Sequence, residues 1–477
     1  MKRLKKLTSL LLALVMVFAM SATAFAADTT ISVNEDDAHS YDVYQIFTGD
    51  LENGVLKNVK WGKNGTGNVG DPVDQSILDG LEAVNTATNT NTTKLAEIKK
   101  YVNLESVAFG TVNNTTALNA PTGYYLFVDK GALADGEGYS LYVVEVVGPT
   151  TIAPKRGEVT SEKKVKDTDD TAGTTTAWQD SADYDIGDVV PFQLKGTVPA
   201  DYANYKTYYY AFHDVESEGL TFNKESVKVF VDGTQITSGF EVKTEDLTDG
   251  CTFEVVFDNL KGVSGVEAGS TITVEYTSTL NEEATLGSTG NPNTMHLEFS
   301  NNPNWEGQGK PDTGETPDDT VIVFTYKVVV DKVDQDGKKL PGAEFKLEKK
   351  VGNEWKELTL VKNEDGTVFS FKGLDDGQYR ITETTHPAGY NSIEPIEFTV
   401  TANHEIKSDD PALKELAGGD LFTGEVKTGE ITGTIVNQKG ATLPETGGIG
   451  TKMFYVIGAI LVVGAAVVMI TKKRMSR

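Results

Sequence analysis

Thr271-Ile272-Thr273-Val274-Glu275-Tyr276 alternates polar and apolar residues, and Val227-Lys228-Val229-Phe230-Val231 and Phe253-Glu254-Val255-Val256-Phe257 repeat the pattern. Successive side chains of a strand point to opposite faces, so each run can cover a core with one face and meet water with the other. Asp-Gly and similar turn pairs separate the runs, and the section from about Glu158 to Trp305 therefore predicts an all-β sandwich.

Working outward, a Gly/Pro/Asp-rich break from Glu306 to Asp319 opens a further section. It begins with Val321-Ile322-Val323-Phe324-Thr325-Tyr326-Lys327-Val328-Val329-Val330 and ends with Ile431-Thr432-Gly433-Thr434-Ile435-Val436-Asn437, again strand upon strand, with a turn expected near Pro411 to Leu416. In the other direction, Gly148 to Gly157 holds two prolines and two glycines and reads as a linker. Ahead of it, strand-like runs such as Tyr124-Tyr125-Leu126-Phe127-Val128 and Leu141-Tyr142-Val143-Val144 accompany one helical stretch between Ser76 and Val102.

The ends of the 477-residue chain are of another kind. Met1-Lys2-Arg3-Leu4-Lys5-Lys6, an apolar stretch from Leu10 to Met20 and Ala24-Phe25-Ala26 describe a secretory signal peptide cut after Ala26. Leu443-Pro444-Glu445-Thr446-Gly447 precedes an apolar run from Met453 to Ile470 and the tail Thr471, Lys472, Lys473, Arg474. That run is long enough to span roughly 30 Å of hydrocarbon, with the cations holding the tail on the cytoplasmic side. Pentapeptide, membrane stretch and basic tail in this order resemble the sorting signal read by sortase transpeptidases. The resemblance implies that the Thr446–Gly447 bond is cut and Thr446 is passed to an amine, so that membrane insertion is transient.

Removing both ends takes away nine cations and no acid, which carries the net charge from −27 to −36. Such a surface repels phosphate backbones and argues against nucleic-acid binding. One cysteine, Cys251, cannot form an intramolecular disulfide, so something else must stiffen an exported chain. The histidines His39, His213, His296, His386 and His404 are scattered, no metal-spaced pair or G-x-S-x-G is found, and Cys251 has no evident partner. Neither an enzyme nor a cofactor or metal site is expected.

Strand parity gives a sharper expectation. Val328, Val330 and Lys332 share one face, as do Tyr379, Ile381 and Glu383, and Ile431, Gly433, Ile435 and Asn437. A lysine, an acid and an asparagine thus sit on core faces. A buried lysine must be neutral, paired or chemically consumed. Parity alone favours an ordinary Lys–Glu salt bridge near a surface strand.

Asp331-Lys332-Val333-Asp334, Leu340-Pro341-Gly342-Ala343-Glu344-Phe345 and Tyr379 to Tyr390 resemble the Cna-B-type immunoglobulin-like domain of Gram-positive surface proteins, including the pilin E-box. His386 stands where the family usually has Ala. Phe212-His213-Asp214 before Gly219-Leu220-Thr221-Phe222, and Gly290-Asn291-Pro292-Asn293 before Leu297-Glu298-Phe299-Ser300-Asn301, resemble the Cna-A-like middle domain of pilin backbones. Tyr41 to Phe47 and Gly123 to Leu126 resemble their N-terminal domain.

The resemblance implies tandem immunoglobulin-like (Cna-A/Cna-B-type) β-sandwiches, the first domain with some helix. The divisions are a signal peptide 1–26, domains 27–156 and 157–306, a linker 307–320, a domain 321–440, the sorting motif 443–447, a transmembrane segment 453–471 and a tail 472–477. It also implies that Lys332 attacks the amide of Asn437 with Glu383 polarising the carbonyl, giving an intramolecular isopeptide. In the middle domain the corresponding trio is Lys163, Asn293 and Asp214. Lys164 and Asn301 remain as alternatives; Lys163 is preferred because its face carries Val159 and Val165, and Asn293 because it best matches the family's N-x-x-x-L-x-[YF] run.

Family backbones present a lysine after a proline between the first two domains as the acceptor for the next subunit's threonine. Ala153-Pro154-Lys155 occupies that place, with Ala where Tyr is usual. The expected function is therefore the backbone subunit of a sortase-polymerised pilus, linked Thr446 to Lys155. A monomeric wall-anchored adhesin or a minor or tip pilin is the alternative. Expected partners are pilus-specific and housekeeping sortases, other copies of the chain, minor pilins, peptidoglycan and host surface ligands.

Overall fold

The computed structural model describes residues 29–439 except 53–54, 87–90, 141, 147, 154–155, 248 and 306–308, together with 461–463 and 465. The signal peptide, the sorting motif and Lys155 lie outside the described residues, as does all but 461–463 and 465 of the apolar run expected to cross the membrane. No helix among the described residues is long and apolar enough to cross a membrane.

The middle of the chain is a two-sheet sandwich. One sheet runs in the order Thr234–Ile236, Lys228–Val231, Thr271–Leu280, Val189–Thr197, Ser161–Val165. The other runs Ser181–Asp183, Asp319–Phe324, Asn291–Ser300, Tyr210–Glu216, Phe253–Phe257, Glu241–Lys243. The alternation that opened the sequence reading is visible in Thr271–Leu280, where every second residue, from Ile272 to Leu280, is buried. Phe192, Leu194, Phe212, Val255, Val274 and Leu297 are among the residues of one core drawn from both sheets.

Residues expected to be linker and the head of the last domain take a different place. Thr313–Glu315 and Asp319–Phe324 both pair with Asn291–Ser300, so the middle sheet runs on to Phe324. The apolar run from Val321 to Val330 is accordingly two strands divided at Thr325. Its first half serves one sandwich and its second, Tyr326–Asp334, the next.

That next sandwich stacks the sheet Val361–Lys362, Val368–Leu374, Tyr326–Asp334, Glu430–Asn437, Phe422–Glu425 on the sheet Glu354–Leu358, Glu344–Val351, Gly377–Thr385, Ile396–His404, Leu413–Ala417. The turn expected near Pro411 to Leu416 is instead the start of strand Leu413–Ala417, paired with Ile396–His404. First and last strands of this domain lie side by side and parallel, with Lys332 opposite Ile435 and Asp334 opposite Asn437.

The first domain carries the helices. Gln75–Val84, capped by the Asp74 carboxylate on the Ser76 N–H, and Asn91–Lys99 divide the single helical stretch that was expected. Leu95 and Ile98 pack with Trp61, Phe47 and Leu126 of the strands.

The middle and last domains meet over buried charge. Lys349, fully buried, donates to Asp185 at 2.7 Å and Asp170 at 3.0 Å of the middle domain and to Asp375 at 3.1 Å of its own. Beside it His404 faces Asp183 at 3.2 Å and Asp167 at 3.7 Å. Burial and the charge of neighbouring acids push Asp167 up to about 8, Asp376 to about 7 and Asp188 to about 6.

Candidate functional site

Lys163 sits on the edge strand Ser161–Val165 with its side chain turned into the sandwich, and none of it is exposed. Its Nζ is paired with the Asp214 carboxylate and donates to the Tyr276 hydroxyl at 2.9 Å. Asp214 comes from strand Tyr210–Glu216 in the facing sheet and is equally buried. Asn293 comes from the neighbouring strand Asn291–Ser300, where the ladder sets it opposite Glu216. The asparagine Nδ2 donates to Tyr276 at 2.9 Å and to Glu216 at 3.3 Å. Amine, acid and amide thus converge from three strands in two sheets.

Their surroundings alter their protonation. Burial depresses the Lys163 ammonium below its ordinary value in spite of the nearby Asp214 charge, while burial raises Asp214. Burial and the Asp214 charge push Glu216 up to about 8. The arrangement favours a neutral amine beside a protonated acid, the state in which lysine is a nucleophile. Asp214 Oδ1 and Asn293 Oδ1 are buried without hydrogen-bond partners. Such groups cost about 1–3 kcal/mol each, so the cluster is poorly satisfied as it stands.

The two open alternatives occupy other surroundings. Lys164 points to the opposite face and pairs with Asp180 at 2.5 Å and Glu162 at 3.4 Å. Asn301 lies at the join with the first domain, where its carbonyl accepts from Tyr139 N–H at 2.6 Å.

In the last domain Lys332 and Asn437 are fully buried on adjacent parallel strands, one register step apart on a shared face. Lys332 Nζ donates to the carbonyls of Val333 and Ile435, both at 3.1 Å, and no carboxylate within salt-bridge distance of it is found among the described residues. Burial lowers its pKa against the opposing charges of Glu383 and Asp334. Glu383 reaches in from the facing sheet and receives Asn437 Nδ2 on both oxygens, at 3.0 and 2.9 Å. The Asn391 carbonyl takes the same Nδ2 at 2.8 Å, and Asn437 Oδ1 has no partner.

Lys155 and Pro154 lie outside the described residues, but their neighbours do not. Strand Thr150–Ile152 pairs with Thr29–Val33 on one side, and on the other the Arg156 guanidinium is held by Asp37 and by the Tyr41 hydroxyl at 2.7 Å.

Sequence reasoning missed several residues. Tyr276 contacts Lys163 and Asn293, and Glu216 contacts Asn293; the Asp214-Val215-Glu216 spacing, which puts both acids on one face, was the available signal. The histidines are less scattered than the chain order suggests. His213 stands directly across from His296 and stacks on it at 4.9 Å. His213 Nδ1 faces Asp249 at 2.5 Å and Nε2 faces Glu298 at 3.3 Å. Burial opposes its charge, but the nearby acids Glu298, Glu254 and Asp249 outweigh it and raise the His213 pKa above its ordinary value. Cys251 does have a neighbour, His213 Nδ1 at 3.6 Å, but burial and Asp249 push its thiol upward, away from a nucleophilic thiolate.

Family models match three stretches of the chain. Residues 326–411 match a prealbumin-like fold domain, residues 186–303 the Cna-B-like domain of Gram-positive pilin backbone subunit 2, and residues 435–476 the LPXTG cell wall anchor motif. The middle stretch thus matches a domain described as Cna-B-like, where the sequence reading had a Cna-A-like one. The trypsin-resistant surface T6 protein of Streptococcus pyogenes serotype M6 is 27% identical over 403 residues, taking in 69% of this chain and 71% of that protein. Among solved structures, the three-domain T6 backbone pilin of serotype M6 S. pyogenes superposes with a TM-score of 0.55 at 21% identity, covering 87% of this chain and 98% of that one. The full-length major pilin SpaD of Corynebacterium diphtheriae does so with a TM-score of 0.50 at 18% identity, covering 87% and 98%. The structural likenesses carry the fold of tandem domains.

Proposed function

We propose that this chain, which belongs to the Gram-positive pilin backbone family, is the repeating shaft subunit of a covalent, cell-wall-anchored pilus whose Thr446 is joined to Lys155 of the next copy. Each link leaves a free Thr446 donor at one end and a free Lys155 at the other. A head-to-tail contact of this kind does not close and generates a filament. A pilus sortase would catalyse each link, and a housekeeping sortase would pass the last threonine to peptidoglycan.

Within each subunit, Lys163 is joined to Asn293 and Lys332 to Asn437. The lysine Nζ attacks the asparagine Cγ, the new C–N bond forms, the Cγ–Nδ2 bond breaks and ammonia leaves. Asp214 and Glu383 are the acids that polarise the two carbonyls. The observation that carries the reading is the burial of two lysines, each with an asparagine and a carboxyl group turned into the same core, in a chain that matches a cell-wall anchor motif. One bond ties the two sheets of the middle sandwich, and the other ties the first strand of the last domain to its final one. Tension along the rod is then borne by covalent bonds where the chain has no disulfide.

An immunoblot of wall extracts boiled in detergent, from cells carrying wild-type or Lys155→Ala protein, tests the polymer. A high-mass ladder that collapses to monomer in the variant is expected. A ladder that persists would move the acceptor to another lysine, and the absence of a ladder in wild type would leave a singly anchored surface protein.

A further inference from the structure

The middle-domain site holds more than a lysine, an acid and an asparagine. The Tyr276 hydroxyl lies 2.9 Å from Lys163 Nζ and 2.9 Å from Asn293 Nδ2, and donates to Asp214 at 3.0 Å. It is therefore in contact with the attacking nitrogen and the departing one at once. Its ring is fixed by stacking on Phe192, centroids 5.3 Å apart, and by an edge contact with Phe253 at 4.9 Å. Glu216 holds Nδ2 from a second side and is itself fixed by the Ser278 hydroxyl.

Resting on the cross-linking reading above, we infer that Tyr276 is a catalytic proton relay for the Lys163–Asn293 bond and that Glu216 is a positioning residue that orients the Asn293 carboxamide. When Nζ adds to Cγ the attacking nitrogen carries a surplus proton, and Nδ2 needs one to leave as ammonia. Asp214 has by then taken the first proton of the ammonium, so the tyrosine hydroxyl is released to aim at Nδ2. Tyr276 accepts the surplus proton and passes its own to Nδ2. The Cγ–Nδ2 bond breaks and the tyrosine ends as it began. Nothing is oxidised or reduced, and no co-reactant is needed.

The last domain is an internal control. Lys332 Nζ meets carbonyl oxygens and Asn437 Nδ2 meets Glu383 and a carbonyl, and among the described residues no side-chain hydroxyl bridges the two nitrogens. Loss of the Tyr276 hydroxyl should slow only the middle bond.

The test is cell-free synthesis of full-length chain, stopped at intervals, with intact-mass and peptide mapping of each bond as it forms. Tyr276→Phe keeps the ring and its packing, and we expect the middle bond to form about 10²-fold more slowly, the usual scale of proton-transfer catalysis, while the last-domain bond forms at the wild-type rate. Glu216→Ala should slow the middle bond and Glu216→Gln, which retains an oxygen to accept Nδ2, should restore it. That rescue would not follow from a general loss of packing, and it decides the matter if Tyr276→Phe fails to fold. An unchanged middle-bond rate in Tyr276→Phe, or equal rates in both Glu216 variants, overturns the inference. Absence of the middle bond from wild type sinks the cross-linking reading on which it rests.

Discussion

Replacing Glu383 by Gln removes the carboxyl group but keeps the side chain's size and an oxygen to accept from Asn437 Nδ2, which donates to both Glu383 oxygens at 2.9–3.0 Å. Without the acid to polarise the carbonyl, the bond between Lys332 and Asn437 is expected not to form, and the variant should keep the roughly 17 Da of ammonia that wild type loses. The cross-link closes a loop of about 100 residues, and the chain-entropy relation for disulfides puts such a closure at about 4.7 kcal/mol at 25 °C. For a domain of this size each kcal/mol moves the midpoint by about 4 °C, so the last domain should melt about 20 °C lower. Differential scanning calorimetry with intact mass on the same samples makes the check. A variant that retains the mass deficit refutes the role of Glu383. A variant that loses it yet melts within a few degrees of wild type refutes the loop-closure reasoning and leaves the bond a device against force alone.

Three further outcomes are expected. After allowance for the mass of the substitution itself, Asn293→Ala should retain about 17 Da that wild type loses while Asn301→Ala should not, because Asn293 alone of the two contacts the Lys163 cluster; peptide mapping distinguishes them. Lys349→Ala leaves the buried Asp375 and the part-buried Asp170 and Asp185 without their cation, and should cost about 3–5 kcal/mol in denaturant unfolding of the joined domains. The same junction should weaken as pH rises. Asp188, Asp376 and Asp167, pushed up to about 6, 7 and 8, hold their protons more tightly folded than unfolded. Their contribution is fully present below the ordinary carboxylate range and is lost as pH climbs through 6 to 8. His404, also raised, acts in the same direction. Proteolysis between the two domains should therefore be slower at pH 5.5 than at pH 8.5, and the reverse order would refute the assignment.

Much of the architecture was legible in the chain because period-two alternation reports directly which residues share a face. Every second residue of Thr271–Leu280 is buried as the pattern requires, and Lys332 and Asn437, which parity turns toward the core, are fully buried. The export and anchor signals were equally legible, since cellular machinery reads them as linear sequence.

Parity is silent on which strand lies opposite. Asp319–Phe324 reads as part of one continuous apolar run, and only the ladder to Asn291–Ser300 assigns it to the middle sandwich rather than the last. The convergence of Tyr276 and Glu216 on Lys163 and Asn293, the pairing of His213 with His296, and the enclosure of Lys349 by acids from two domains likewise join residues far apart in sequence. Each depends on strand register and on how one sheet lies over another. Those are settled by the packing of whole faces, to which any single residue contributes a small part, and so they became visible only in the folded chain.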